Sequence, residues 1–273
     1  MSYINLYDSH THSDNSPDGR ESVTYMCENA IAKGLRGISI TDHCEMDNFE
    51  GGRYNISTKQ SYFESLKAKS VFRGSLIVSS GVEIGQPLYN LKLTRQTLAS
   101  FEYDFVLASM HNMIDGSDYF YVDYSDMGEE EIDCILKNYF KDLLDICNWN
   151  EFDCLAHLTY PLRYITGTHG IPVELSRYND IIDEILKTLA RNGKALEINT
   201  SGFRQGLETA LPPLKYIKRF KELGGEHVTI GSDGHRSEDV GKDIEKGMEL
   251  AKEAGFEQFT IYLSRTPMLI DIK

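Results

Sequence analysis

Leu6-Tyr7-Asp8-Ser9-His10-Thr11-His12 is the stretch on which the reading of this chain turns. It is short and β-rich, and it ends in two histidines that, two residues apart in extended backbone, point the same way and can chelate one ion. An HxH pair alone equally describes a half-exposed strand end. Its meaning comes from repetition. After a first strand over residues 4–8, further short β-rich runs are expected at 37–41, 76–83, 105–109, 154–157, 195–199, 228–231 and 259–263. Amphipathic helices are expected between them at 22–33, 59–70, 91–101, 129–148, 177–191, 214–223 and 239–254. In the helix over 177–191, Ile181, Ile182, Ile185, Leu186 and Leu189 recur at spacings of three and four, opposite Asp180, Asp183, Glu184 and Lys187, as in a helix laid on a sheet. Mostly apolar strands alternating with such helices predict a parallel α/β fold, either a barrel or a sheet buried on both faces. No Pro/Gly/Ser linker interrupts the rhythm, so residues 1–273 are expected to form one domain.

The strand ends carry the chemistry. The first ends near His10 and His12, the second at Asp42 and His43, the third at Glu83, the fourth at His111, the fifth at His157, and the seventh runs Gly-Ser-Asp233-Gly-His235. In a parallel barrel all strand C-termini converge on one face, where the active sites of that architecture lie. Chance would scatter these residue types over both ends and the outer helices. Together these ligands exceed what one ion accepts, so two or three ions with a bridging carboxylate are expected. Imidazole and carboxylate suit Zn, Mn or Fe. Water held between two such ions ionises near neutral pH, which makes hydrolysis of a phosphoryl or acyl group the natural use.

Composition narrows the partners. Lys plus Arg is 28 against 42 Asp plus Glu, a formal net charge of −14. That balance argues against nucleic acid or an anionic membrane surface, both of which reward clustered cations. No apolar run approaches a membrane span and the N-terminal stretch lacks the marks of a signal peptide, so a cytoplasmic location is expected. Five cysteines without CxxC spacing are expected to be free thiols.

As an ordered set, D-S-H-T-H, T-D-H, the Glu83 strand end, S-M-H, A-H and G-S-D-G-H resemble the polymerase and histidinol phosphatase (PHP) superfamily, from about Tyr3 to the C-terminus. The resemblance is strongest to its monofunctional histidinol phosphatases. It implies a distorted (βα)7 TIM-like barrel and a trinuclear centre. In that scheme the first ion takes His10, His12, Glu83 and Asp233, the second takes Glu83, His111 and His157, and the third takes Asp18, His43 and His235. Asp18 stands where some relatives have His. Glu83, Asp233 and His235 are the implied catalytic residues. The implied activity is hydrolysis of L-histidinol phosphate, a step of histidine biosynthesis, by a hydroxide bridging the ions. The alternatives are another phosphoesterase acting on a nucleotide or sugar phosphate, a metal amidohydrolase, and a metal-bound sensor domain that has lost catalysis.

A phosphate ester also needs cationic or N–H groups. Arg163 and Arg204 fall in loops after strand C-termini and are candidates to bind it, as are Asn199 at a strand end and His169 in the same loop as Arg163. His227 begins its strand and belongs to the opposite face. Cys44 beside His43 reads as a packed thiol. Asp8 and Asp42 are candidates to orient imidazoles. Glu45 and Asp47, with the Tyr-rich acidic loop over 115–131, are candidates to receive the substrate's cationic part. That loop holds Tyr119, Phe120, Tyr121 and Tyr124 and is a candidate lid.

Overall fold

The computed structural model describes residues 3–113 and 115–273; Met1 and Ser2, which begin the N-terminal stretch read above, lie outside them. Among the described residues the regular elements run β1 (Tyr7–Thr11), α1 (Val23–Ala32), β2 (Gly37–Ile40), β3 (His43–Glu45), α2 (Tyr54–Val71), β4 (Ile77–Gly85), α3 (Leu91–Ala99) and β5 (Phe105–Ser109). They continue with α4 (Glu129–Trp149), β6 (Cys154–Leu155), α5 (Asn179–Arg191), β7 (Ala195–Asn199), α6 (Leu214–Glu222), β8 (Val228–Gly231), α7 (Ile244–Glu253), β9 (Gln258–Leu263) and β10 (Thr266–Asp271). Strands β1, β2, β4, β5, β6, β7 and β8 lie side by side in that order, all parallel, and β3 pairs with the second half of β4. The open edge closes at its C-terminal rim, where the Asp233 N–H donates to the His10 carbonyl at 2.8 Å and the His12 N–H to that of Gly234 at 2.9 Å. This is the distorted seven-strand barrel that the resemblance implied.

Period-2 alternation explains how the barrel is filled. Val106, Ala108, Leu155, Leu196, Ile198, Val228 and Ile230 pack against the helices. Phe105, Leu107, Cys154, Ala156 and Ala195 form a separate cluster with Tyr262. Two and four residues beyond Ala195 on β7, the same row becomes Glu197 and Asn199, both fully buried. The interior is therefore apolar at its base and ionisable at its top.

Three expectations need correction. The run at 259–263 is not a barrel strand: β9 pairs antiparallel with β10, and its Tyr262 ring stacks on Phe105 at 5.0 Å, stopping the base of the barrel. Strand β10 escaped notice because the connecting turn, Ser264-Arg265, has left-handed φ at both residues without the usual glycine. It is held by tertiary bonds: the Ser264 N–H donates to Asp104 and the Arg265 guanidinium to Asp153. The first strand begins at Tyr7, three residues later than expected from its 4–8 reading, because the Ile4 N–H instead pairs with the Lys273 carbonyl. Finally, the 115–131 loop is half core. Tyr119 and Tyr124 are buried, while Phe120 and Tyr121 are exposed.

All five cysteines are free. Among the described residues no helix is long and apolar enough to cross a membrane.

Asp8 does not face an imidazole. A register shift between Asp8 and Thr11 separates it from the histidine row. Its carboxylate accepts from the Ser232 N–H at 2.8 Å, the Ser232 hydroxyl at 2.5 Å, the Gly241 N–H at 2.7 Å and the His10 N–H at 3.3 Å. It thus locks β1 to the chain after β8, across the seam that closes the barrel. Replacing Asp8 by Ala leaves these buried donors unmatched, each costing about 1–3 kcal/mol, and should lower stability by at least about 2 kcal/mol in reversible urea unfolding of the metal-free protein.

Candidate metal centre

The rim of the barrel brings the ligands into three adjoining groups. His10 Nε2 and His12 Nε2 stand 3.0 Å apart, and Glu83 Oε2 lies 3.4 and 3.6 Å from them. Asp233 Oδ1 completes this group at 3.8 and 3.5 Å. The other Glu83 oxygen, Oε1, lies 2.9 Å from His157 Nε2 and 3.2 Å from His111 Nε2, which are 3.3 Å from each other. In the third group His43 Nε2 and His235 Nε2 are 3.3 Å apart, with Asp18 carboxylate oxygens 3.7 and 3.1 Å away. Donors about 2.1 Å from one ion at tetrahedral angles stand about 3.4 Å apart. The residues therefore fit metal ions, and Glu83 faces two groups at once. The buried Glu83 Oε2 has no hydrogen-bond donor, the condition a cation would relieve.

Electrostatics agree with the geometry. Burial alone would raise Glu83, but His111, His10 and His43 outweigh it and hold the carboxyl well below its ordinary value. Asp233 is likewise held down, by Arg163 and His10 against burial. Burial is also overcome at His10, which Glu197 and Glu83 lift well above the usual imidazole value. Burial together with His235 and His43 pushes His12 well below it. At His111, Glu45 and Glu83 overcome burial and raise the imidazole to about 10.

Behind the ligands stand residues that the sequence reading missed. Glu197 Oε1 lies 2.7 Å from His10 Nδ1, while its Oε2 accepts from the His157 N–H at 2.7 Å. Gly231 makes room for this pair, since a Cβ there would fall 2.4 Å from His10 Cβ and 2.6 Å from Glu197 Oε1. The signal was a glutamate in an apolar strand, Ala-Leu-Glu197-Ile-Asn, on the inward parity. Asp42 acts through Ser16, whose hydroxyl donates to Asp42 at 2.7 Å and stands 3.1 Å from His12 Nδ1.

The expected substrate contacts divide. Arg163 and Arg204 both line a cavity of about 1670 Å³ above the ligands. Arg163 is buried, donating to Asp233 Oδ2 at 2.6 Å and Ser201 at 2.8 Å, and its Nε has no partner. Arg204 donates to the carbonyls of Ser232 and Asp233 at 2.7 and 2.8 Å, supporting a loop in which Asp233 adopts left-handed φ. Asn199 is fully buried and hydrogen-bonded to Glu197 and Ser201, behind the ligands. His169 lies outside the cavity lining; its Nδ1 is 3.1 Å from the Tyr164 carbonyl and its ring packs on Tyr124. Glu45 and Asp47 both line the cavity, Glu45 lying 2.9 Å from His111 Nδ1 and Asp47 accepting from Gln86 and Asn112. Cys44 is packed in the core, and His227 meets Thr260 of β9 at the opposite end.

A closed parallel barrel with such a rim is the architecture of a known family: the chain belongs to the PHP domain family, whose model matches residues 8–201. Among its relatives, the histidinol-phosphatase of Lactococcus lactis is 29% identical over 93% of each chain. A probable histidinol-phosphatase of Thermotoga maritima is 29% identical, over 94% of this chain and 95% of its own. The crystal structure of histidinol phosphate phosphatase from Lactococcus lactis, complexed with zinc, L-histidinol and phosphate, superposes with a TM-score of 0.78 at 27% identity, covering 97% of this chain and 99% of that one.

Two outcomes follow for metal binding. Glu197→Gln should lower zinc affinity about 10- to 100-fold, measured by chelator competition on the folded protein. Because His111 is protonated near neutral pH in the metal-free protein and must lose that proton to ligate, zinc loading at pH 7 should release protons and acidify a weakly buffered solution.

Proposed function

We propose that this chain is a metal-dependent phosphomonoesterase that hydrolyses L-histidinol phosphate to L-histidinol and inorganic phosphate. The observation that carries the reading is the double-sided Glu83 carboxylate, with one oxygen facing His10 and His12 and the other facing His111 and His157. The first ion would be held by His10, His12, Glu83 and Asp233, the second by Glu83, His111 and His157, and the third by Asp18, His43 and His235. Zinc is the ion proposed first, since it accompanies product in the Lactococcus lactis relative. Bound there, divalent ions supply positive charge for the phosphoryl oxygens and lower the pKa of water. Asp18 is 62% exposed at its side chain, which makes the third site the most open to solvent.

The chain's own residues then divide the work. Asp233 and His235 line the cavity, and with Glu83 buried beneath them they are the residues to which the reaction is assigned. Arg163 offers its unpaired Nε–H to a phosphate oxygen from a buried position, braced by Asp233 and by the Tyr160 ring 4.8 Å away. The opposite wall of the cavity carries Asp115, Asp118, Phe120 and Tyr121, groups suited to an ammonium and an imidazole. The same segment shields this part of the substrate from water.

Phosphate release from histidinol phosphate, nucleotides and sugar phosphates with added zinc or manganese tests the reading. Histidinol phosphate should give the highest kcat/KM; equal rates on all three classes would leave a general phosphatase. Arg163→Ala should weaken both substrate binding and inhibition by inorganic phosphate about 10- to 150-fold, the equivalent of one charged contact of about 1.5–3 kcal/mol.

A further inference from the structure

Glu45 and Gln86 are used by none of the steps above, yet both are buried against the ligands. Glu45 Oε1 is hydrogen-bonded to His111 Nδ1 at 2.9 Å and lies 3.3 Å from His43 Nδ1, a buried nitrogen that has no hydrogen-bond partner and that this oxygen is near enough to serve. These are imidazoles of two different ligand groups, and the Nε2 atom of each faces its own group, His111 toward His157 and Glu83, His43 toward His235 and Asp18. The other Glu45 oxygen accepts from Gln86 Nε2 at 2.8 Å, and the same nitrogen donates to Asp47 at 3.0 Å. The Gln86 carbonyl oxygen accepts from the His111 N–H at 2.9 Å. Every polar atom of the Gln86 side chain is thus spent on the Glu45–His111 unit. Gln86 also holds a left-handed φ of 49°, unfavourable for a residue with a side chain and sustained by these bonds.

From this arrangement, and resting on the metal reading above, we infer that Glu45, clamped by Gln86, is a positioning carboxylate that fixes the tautomer of His111 and His43 together and so couples the second and third ion sites. An anionic oxygen beside both Nδ1 atoms keeps the proton there and leaves the Nε2 lone pairs for metal. Glu83 Oε2 also lies 2.9 Å from His43 Nδ1, but as a bridging ligand it is committed to its ions, which leaves Glu45 as the oxygen available to hold the proton. An amide at position 45 cannot serve. Turned to accept from Gln86, it aims its NH2 at the imidazoles; turned to accept from them, it aims NH2 at the Gln86 donor.

The test is residue-resolved histidine 15N NMR of the protein during zinc titration, with chelator-buffered free zinc. In the unaltered, zinc-loaded protein, His43 and His111 should be protonated at Nδ1 and ligated through Nε2; ligation through Nδ1 at either residue would overturn the inference even if no variant folds. In Glu45→Gln, both imidazoles should need about 10- to 100-fold more free zinc to reach the liganded state, while His10 and His12 titrate as before. Gln86→Ala should shift the same two residues by less. A Glu45→Gln protein in which only His111 responds, or neither does, refutes the coupling while leaving the metal reading intact. A chain that binds no zinc at all would overturn the metal reading and this inference with it.

Discussion

Glu83 sets the terms for the rest of the molecule. A carboxylate with no exposed surface, both oxygens ringed by imidazole nitrogens and one of them without a donor, is stable only where positive charge is supplied. Every feature of the rim answers that demand. Imidazoles converge from β1, β3 and the loops after β5, β6 and β8, each on a backbone fixed by barrel hydrogen bonds. Behind them a tier of carboxylates, Glu197, Asp42 and Glu45, turns the rings or holds their supports. Arg163 balances Asp233 from the cavity side. Behind the ligands, Asp8 commits its carboxylate to the N–H groups of His10, Ser232 and Gly241 and to the Ser232 hydroxyl, so that the strand bearing His10 and the loop bearing Asp233 cannot drift apart.

Sequence made the ligands legible because strand C-termini are marked twice, by the apolar run before them and by the change to His, Asp or Glu at the end. Strands β5 and β8 were located to the residue for that reason, and β7, which ends in Asn199, from its apolar run alone. What stayed hidden was whatever depends on contacts far along the chain. Helix α2 starts five residues before its expected 59–70 span because Arg53 enters it through a left-handed turn with no capping side chain. Strand β3 follows β2 after only Thr41 and Asp42, so that it reads as the loop after β2; its pairing with β4, His43 opposite Glu83, is tertiary information. The supporting residues share this fate. Glu45 and Asp47 look like free surface charge in sequence, and only the left-handed Gln86 reveals that both are already engaged. Sequence did not show that Asn199 lies buried behind the ligands or that His169 lies outside the cavity lining.

The Tyr262 ring pressed on Phe105 has an implication for traffic. With its lower end stopped by the hairpin, the barrel opens, among the described residues, at the rim that carries the ligands, and what enters there leaves there. On the proposed reading, the phosphate lies innermost, against Arg163 and the ligands, and the alcohol lies nearer the mouth beside Phe120 and Tyr121. Departure is then sequential by geometry alone: the alcohol must clear the passage before the anion behind it can go. The slower-leaving product is the one held by the strongest charges. A cell that accumulates inorganic phosphate would hold such an enzyme back at its last step, without any separate regulatory site.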